Sequence, residues 1–388
     1  MTRDIVKVRE IRMIYLDHAA TTPMRQEALD AYHEVAKNFY GNASSLHDIG
    51  TKANDVLQTC RTQLAKLING SPEGIYFTSG GTEANILAVK SLIDGNKDRG
   101  NHLITTEVEH SSLYHLFKQL EKEGYSVTYL SIDASGGIDI DELKDALQDN
   151  TILASIHHGN AEIGVIQNIA AIGQILHEAN VIFHTDCVQT FGNIPINVQA
   201  NFIDSLSVSS HKIYGPKGTG MCYIHPNVSW IEQVENTTHE NGFRPGTVDV
   251  PSIVAFTAAA ELIVSEMEIH HNNYQELRNN LITKLSKLNK DLKVEGSNLE
   301  QQLPHIVGLS FAQLQGQYIM LECNRYNIAI STGSACQVGK QSPSRTMKSM
   351  GKSDEQAAQF VRLSFGKETE EKDINEFVNV MNKILDYV

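Results

Sequence analysis

With 388 residues, 41% of them hydrophobic, the chain can bury a large core and is long enough for two domains. A formal charge of −14 argues against nucleic acid or an anionic membrane as the main partner, though it leaves room for a small basic pocket around a phosphate. No apolar run reaches the roughly 18 residues that span a bilayer, and five cysteines without a CxxC pair fit a reducing cytoplasm better than a disulfide scaffold.

Residues 1–12 mix acids and bases and lack the apolar centre of a signal peptide, so they read as an extra leader before a strand at 13–16. Between about residues 50 and 258, strands are expected at 75–78, 102–106, 126–130, 152–157, 181–185, 202–208 and 220–224. Helical patterns at 83–93, 112–123, 138–148 and 169–179 alternate with several of them. That rhythm predicts an α/β fold with a largely parallel sheet, whose sites lie at the carboxyl ends of strands. After Pro251 the pattern changes to a long helical stretch at 253–288, a strand at 307–311, a Gly/Ser-rich loop at 331–342, a short run at 360–364 and a last helix at 371–388. This predicts a smaller α+β domain, and the polar segment 333–344 is expected to project as a mobile loop.

One turn concentrates the chemistry. Segment 207–220, SVSSHKIYGPKGTG, places Lys212 on a sharp, glycine-followed turn after a strand. A positioned, partly desolvated lysine can form an imine with a carbonyl cofactor, which requires the neutral amine; the plainer alternative is a solvated surface turn. Segment 77–85, FTSGGTEAN, is a strand, a Gly-Gly turn and a helix start. The amides and hydroxyls of Gly81 and Thr82 there can hold a phosphate or simply cap the helix. Ser209 and His211 flank Lys212 as further phosphate donors or as turn stabilisers.

In segment 183–189, FHTDCVQ, a buried strand ends in Asp186, placed either to pair with a protonated ring nitrogen or to cap a helix starting after it. Gln189 either donates to a cofactor phenolate or faces solvent. His110 opens a helix just after a strand, where an imidazole can stack on an aromatic cofactor or pack locally. Cys336, in segment 331–339 (STGSACQVG), has small polar neighbours rather than an apolar setting, and an accessible thiol can attack. Cys60, Cys187 and Cys222 are expected to be packing residues. Arg362, inside the apolar run 361–366, either pairs with a structural acid or grips a substrate carboxylate. Thr247 is placed for phosphate contact after Arg244, which is expected to order its loop.

Taken in order, these residues resemble the pyridoxal-phosphate-dependent cysteine desulfurases, the NifS/IscS-like branch of the class V aminotransferase superfamily. The likeness runs from YLDHAATTP at 15–23 through NASSLH at 42–47, TSGGTEAN at 78–85, SSHK at 209–212 and SAC at 334–336 to RLSFG at 362–366. Within the branch it is most similar to bacillus-type members associated with NAD synthesis. The resemblance implies the PLP-dependent transferase fold (fold type I), with a mainly parallel seven-stranded sheet. It implies a large PLP-binding domain at 19–258, and a small domain from 1–18 and 259–388 that carries the loop at 331–342.

By the same resemblance Lys212 carries the internal aldimine of pyridoxal 5'-phosphate. Gly81, Thr82, Ser209, His211 and Thr247 surround its phosphate, Thr247 coming from the second copy of a homodimer. Asp186 protects the pyridinium proton, Gln189 meets the phenolic oxygen and His110 stacks on the ring. Asn38 and Arg362 grip the carboxylate of L-cysteine, and Cys336 accepts its sulfur. The persulfide then passes to an acceptor: an iron–sulfur scaffold, a tRNA-thiolation protein or a cluster enzyme of NAD synthesis.

The chain departs from the family at NAEIG, residues 160–164, where Ala161 replaces a second asparagine that helps hold the phenolic oxygen. Pro245 replaces a serine common after the arginine and stiffens that turn. Three other readings compete: a PLP-dependent aminotransferase or selenocysteine/cysteine sulfinate lyase, which would not depend on Cys336; a non-catalytic scaffold; and a metal enzyme built on His157, His158, Asp186 and Cys187. The spacing of those four matches no specific metal motif.

Overall fold

A computed structural model describes residues 13–288, 292–296, 301–333 and 343–386. The described chain opens with β1 (Ile14–Tyr15), α1 (Gln26–Asn38) and α2 (Asp48–Leu67). An α/β series comes next: β2 (Ile75–Thr78), α3 (Gly81–Asn96), β3 (His102–Thr106), α4 (Ser111–Lys122), β4 (Ser126–Leu130), α5 (Ile140–Ala146), β5 (Thr151–Ser155), α6 (Ile169–Glu178), β6 (Ile182–Asp186), β7 (Ser205–Ser209) and β8 (Gly220–Ile224). Seven of these strands form one sheet in the order β2-β8-β7-β6-β5-β3-β4; β8 runs against both neighbours and the other pairings are parallel. The expected mainly parallel seven-stranded sheet is therefore present.

Its central strands β3, β5 and β6 are buried along their whole length, as parallel strands covered on both faces are. The two-residue period still sorts neighbours into opposite layers. Leu103, Leu153 and Ile182 meet α3 and α4 through Ala88, Leu92, Leu113 and Phe117. Ile104, Ala154 and Phe183 meet the layer of α2 and α6 on the other face through Leu57, Leu64, Ile172 and Leu176.

The rest of the chain comprises α7 (Val250–Ser265), α8 (Met267–Leu288), β9 (Leu292–Glu295), β10 (Ile306–Phe311), α9 (Gly316–Arg325), β11 (Ile328–Ala329), α10 (Arg345–Ser349), α11 (Asp354–Ala358), β12 (Phe360–Ser364) and α12 (Glu371–Asp386). A three-stranded antiparallel sheet, β12-β10-β9, packs with α8, α9 and α12 around Leu281, Leu309, Ile319, Val361 and Phe377. Leu16 joins this second core, and β1 pairs in parallel with β11.

Besides shifts of a few residues at element ends, three departures from the expected elements have a visible physical cause. The helical stretch at 253–288 is two helices bent by 66°. Glu266 lies at the break, its carboxylate bound to Arg25 at 3.1 Å and to His270 at 3.2 Å. The strand expected to begin at 202 begins at Ser205, because Phe202 adopts a left-handed φ of 51° that no strand accommodates. Ser344, assigned to the projecting loop, is buried and caps α10 by accepting from the amide of Met347. Among the described residues no single helix is long and apolar enough to cross a membrane.

One buried ion pair ties the segment after β8 to the sheet edge. Arg61 holds both carboxylate oxygens of Glu240 at 3.0 and 2.9 Å, and Glu240 Oε2 also accepts from the amide of Phe77 at 2.7 Å. Glu240 itself sits at a positive φ of 48°. Removing the arginine strands a carboxylate with one remaining donor. Arg61→Ala is therefore expected to lose about 3–5 kcal/mol of stability, measured by urea unfolding at fixed cofactor concentration. A loss below about 1 kcal/mol, the value of a surface pair, contradicts that role.

Candidate active site

The loops at the carboxyl ends of β3, β5, β6 and β7 meet the start of α3 and the 19–21 segment around a cleft of about 610 Å³. Lys212 enters it from the turn after β7. Its Nζ donates to the carbonyls of Ala19 at 2.6 Å and Ala20 at 2.7 Å. The turn is fastened to the same segment: Thr22 N donates to His211 O, Tyr214 N to Thr22 Oγ1, and Arg25 N to Tyr214 O. A lysine so held is fixed at one point of the cleft instead of sweeping solvent.

The start of α3 is shaped for close approach. Gly80 has a φ of 145°, and a Cβ on Gly81 would lie 2.7 Å from Val188 Cγ2. Side chains are thereby excluded from a helix N-terminus whose free amides and positive dipole end face the cleft, beside Thr82 and Ser209. Glu83 accepts from Ser79 N at 2.6 Å and from Arg244 Nε at 2.7 Å, so Arg244 orders its loop. This glycine cradle suits a phosphate.

Asp186 closes β6 with 7% exposure. Its carboxylate accepts from Asn85 Nδ2 at 2.8 Å and from Val188 N at 2.9 Å, so it both faces the cleft and caps its own turn. Asn85 is the hub: its amide also meets Ser112 Oγ at 3.1 Å, and its carbonyl oxygen faces His184 Nε2 at 3.1 Å and the Ser207 hydroxyl. Burial pushes His184 down to about 4, so it is neutral at pH 7 and contributes hydrogen bonds rather than charge. Ser112 continues the network to His110 Nδ1 at 2.8 Å, and His110 caps α4 as the sequence predicts.

Gln189 lines the cleft and donates to Ala19 O at 3.2 Å. His211 lines it too, with Nδ1 3.1 Å from Thr21 Oγ1; burial, then Lys212 and Lys217, lower its pKa to about 4. Arg362 projects from β12 into the cleft wall, donating to Asp17 Oδ1 at 2.6 Å and Ala161 O at 2.9 Å. It pairs with an acid and also lines the cleft. Its buried Nε has no hydrogen-bond partner among the described residues.

Two expected residues are not brought to the cleft of their own chain. Asn38 lies in the last turn of α1, exposed, donates to Glu34 one turn back and is absent from the cleft lining. Thr247 is exposed on the loop before α7 and is absent from the cleft lining. Cys336 lies outside the described residues. Cys60, Cys187, Cys222 and Cys323 are buried free thiols, and burial pushes Cys187 and Cys222 up to about 12. Among the described residues no group of three or more His, Cys, Asp or Glu is arranged to hold a metal.

Several cleft residues were not assigned from the sequence. Asn85 carries a readable signal, since it lies four residues after Gly81 on the same helix face. Glu109, Glu162 and Arg345 carry none, because they reach the cleft only through tertiary packing. Glu162 accepts from the Ser344 hydroxyl, and burial raises its pKa.

The acid at the end of a strand, the lysine on the next turn and the glycine-opened helix together fit a phosphorylated pyridine aldehyde. The aminotransferase class-V family profile matches residues 14–377, and the chain belongs to that family, whose cofactor is pyridoxal 5'-phosphate. Within it the chain is NifS/IscS-like. It is 48% identical over 369 residues to the putative cysteine desulfurase NifS of Bacillus subtilis (strain 168), covering 95% of this chain and 93% of that one. Among solved structures it resembles a NifS-like protein at a TM-score of 0.90 and 30% identity, covering 97% of this chain and all (100%) of the other. It also resembles SspA in complex with cysteine, at a TM-score of 0.78 and 30% identity, covering 91% and 98% of the two chains.

Proposed function

We propose that this protein is a cysteine desulfurase: it takes sulfur from L-cysteine, releases L-alanine and holds the sulfur as a persulfide on Cys336. The observation that carries this reading is the meeting of Lys212, Asp186, Gln189, Ser209, Gly81 and Arg362 around one cleft. When bound, the pyridoxal ring accepts electron density from the amino-acid carbon that loses its proton. Lys212 anchors the cofactor and then carries a proton at that carbon. Asp186, braced by Asn85, keeps a negative charge against the ring nitrogen, and Gln189 addresses the phenolic oxygen. Gly81, Thr82, Ser209 and His211 hold the phosphate, His110 covers the ring, and Arg362 offers its Nε–H, which has no partner among the described residues, to the substrate carboxylate.

In the sulfur step the Cys336 thiolate attacks the sulfur of L-cysteine. The Cβ–S bond breaks, an S–S bond forms, and Cβ gains a proton to become the methyl of alanine. The proton lost from the Cys336 thiol balances the one gained at Cβ. Cys336→Ala should keep the visible cofactor band while forming no enzyme persulfide, read by intact mass after L-cysteine. Unchanged sulfide release from that variant would sink the role of Cys336.

Residues 19–258 form the cofactor domain in this reading, and 1–18 with 259–388 the smaller one. Leu16 in the second core supports the first cut, while Ala260 and Ile263, packed in the large core, extend that domain through α7. A homodimer is supported by the exposed large apolar residues Leu29, Tyr32, Tyr40, Leu46 and Ile49 in the N-terminal segment, and Thr247 would complete the phosphate site of the second copy. The buried free thiols favour a cytoplasmic setting. The sulfur acceptor is an iron–sulfur scaffold, a tRNA-thiolation protein or a cluster enzyme of NAD synthesis, the last favoured by the bacillus-type likeness. Transfer of labelled sulfur to each purified candidate distinguishes them.

A further inference from the structure

The cleft contains an acid–base pair that the proposed reaction does not use. His157 lies just past β5, Glu109 precedes α4, and both line the cleft with side chains 4% and 0% exposed. Glu109 Oε1 accepts from the Thr106 hydroxyl at 3.1 Å and from His157 N at 2.8 Å, and lies 3.0 Å from His157 Nδ1. An oxygen already accepting two donors is an acceptor to the third, so Nδ1 carries the proton and Nε2 is the ring nitrogen left for the cleft. Neither His157 Nε2 nor Glu109 Oε2 has a hydrogen-bond partner among the described residues. Buried polar atoms without partners are rare, and here they mark a place for a bound group.

Strand register says which part of the cleft this is. Ser155 of β5 is paired with His184 of β6, and His158 N donates to Asp186 O at 3.0 Å. Counting two residues along each strand puts His157 beside Asp186, on the face that carries His184 and Asn85. Asp186 occupies the ring-nitrogen end of that edge. The other hydrogen-bonding atom of a pyridoxal ring along it is the phenolic oxygen.

We propose that His157, braced by Glu109, is a further cofactor-contacting residue, its Nε2–H donating to the phenolic oxygen of the bound ring. The inference rests on the proposed cofactor role of the cleft. With Nδ1–H held by Glu109, donation from Nε2 requires the doubly protonated ring, and that cation beside a carboxylate stabilises the ring oxygen as an anion. The other charged or titratable groups lining the same cleft are Glu83, His110, Glu162, Asp186, His211, Lys212, Lys217, Arg345 and Arg362, with His158 next in the chain. Arg345 donates to Glu109 O and reinforces the brace.

A donor and cation at the ring oxygen lowers its basicity, so removing them raises the pH at which the resting cofactor band changes. The test compares wild type, His157→Met, His157→Gln and Glu109→Gln as holoenzymes without L-cysteine, measuring cofactor content and the pH midpoint of the visible band. His157→Met and Glu109→Gln should retain cofactor and raise the midpoint by about one unit, a tenfold change in proton affinity; His157→Gln should fall between. If His157→Met does not fold, His157→Gln and Glu109→Gln decide. Cofactor-loaded variants with the wild-type midpoint overturn the inference. A wild-type protein with no visible band overturns the cofactor reading itself, so the two failures are distinct.

Discussion

Lys212→Ala is expected to abolish the covalent link to the cofactor and to lower alanine formation from L-cysteine by about 10³-fold or more. The size reflects two proposed roles meeting in one atom: in the proposed mechanism Nζ anchors the cofactor and then moves a proton. The loss should be local, because the turn is held by backbone bonds from Thr22 and Arg25 that do not involve the lysine side chain. Borohydride reduction followed by mass measurement gives the direct readout. Wild type should trap the cofactor on a peptide containing Lys212, and the variant should trap none. A variant that still traps cofactor, or turns over within about tenfold of wild type, removes Lys212 from the mechanism.

Asp186→Ala is the second large effect expected, a fall of about 10²–10³-fold in kcat. The acid is positioned before any ligand arrives, with Asn85 Nδ2 at 2.8 Å and Val188 N at 2.9 Å fixing both carboxylate oxygens. In the proposed mechanism its charge therefore meets the ring nitrogen without reorganisation at the moment of reaction. Asn85→Ala removes only the brace and should lose less, about tenfold, since Val188 N still orients the carboxylate. Cofactor content separates the roles: a merely structural Asp186 would show itself as lost folding with unchanged kcat in the folded fraction. Equal kcat for wild type and cofactor-loaded Asp186→Ala excludes the charge role.

The amino-acid sequence alone determined the rhythm of the large sheet and the local setting of its chemistry. Ile75–Thr78, His102–Thr106, Ser126–Leu130 and Gly220–Ile224 are strands over the spans that their apolar runs predict. Lys212, Asp186, His110 and Gly81 sit on the predicted turns, because glycine, caps and strand ends act over a few residues. Only the tertiary structure decided which side chains share the cleft. His157 meets Glu109 across 48 residues, and Arg362 meets Asp17 across 345. Asn38, close in sequence to other site segments, is turned outward by its helix. Local signals set φ and ψ, whereas convergence depends on sheet order and packing, and nothing in a short window encodes either.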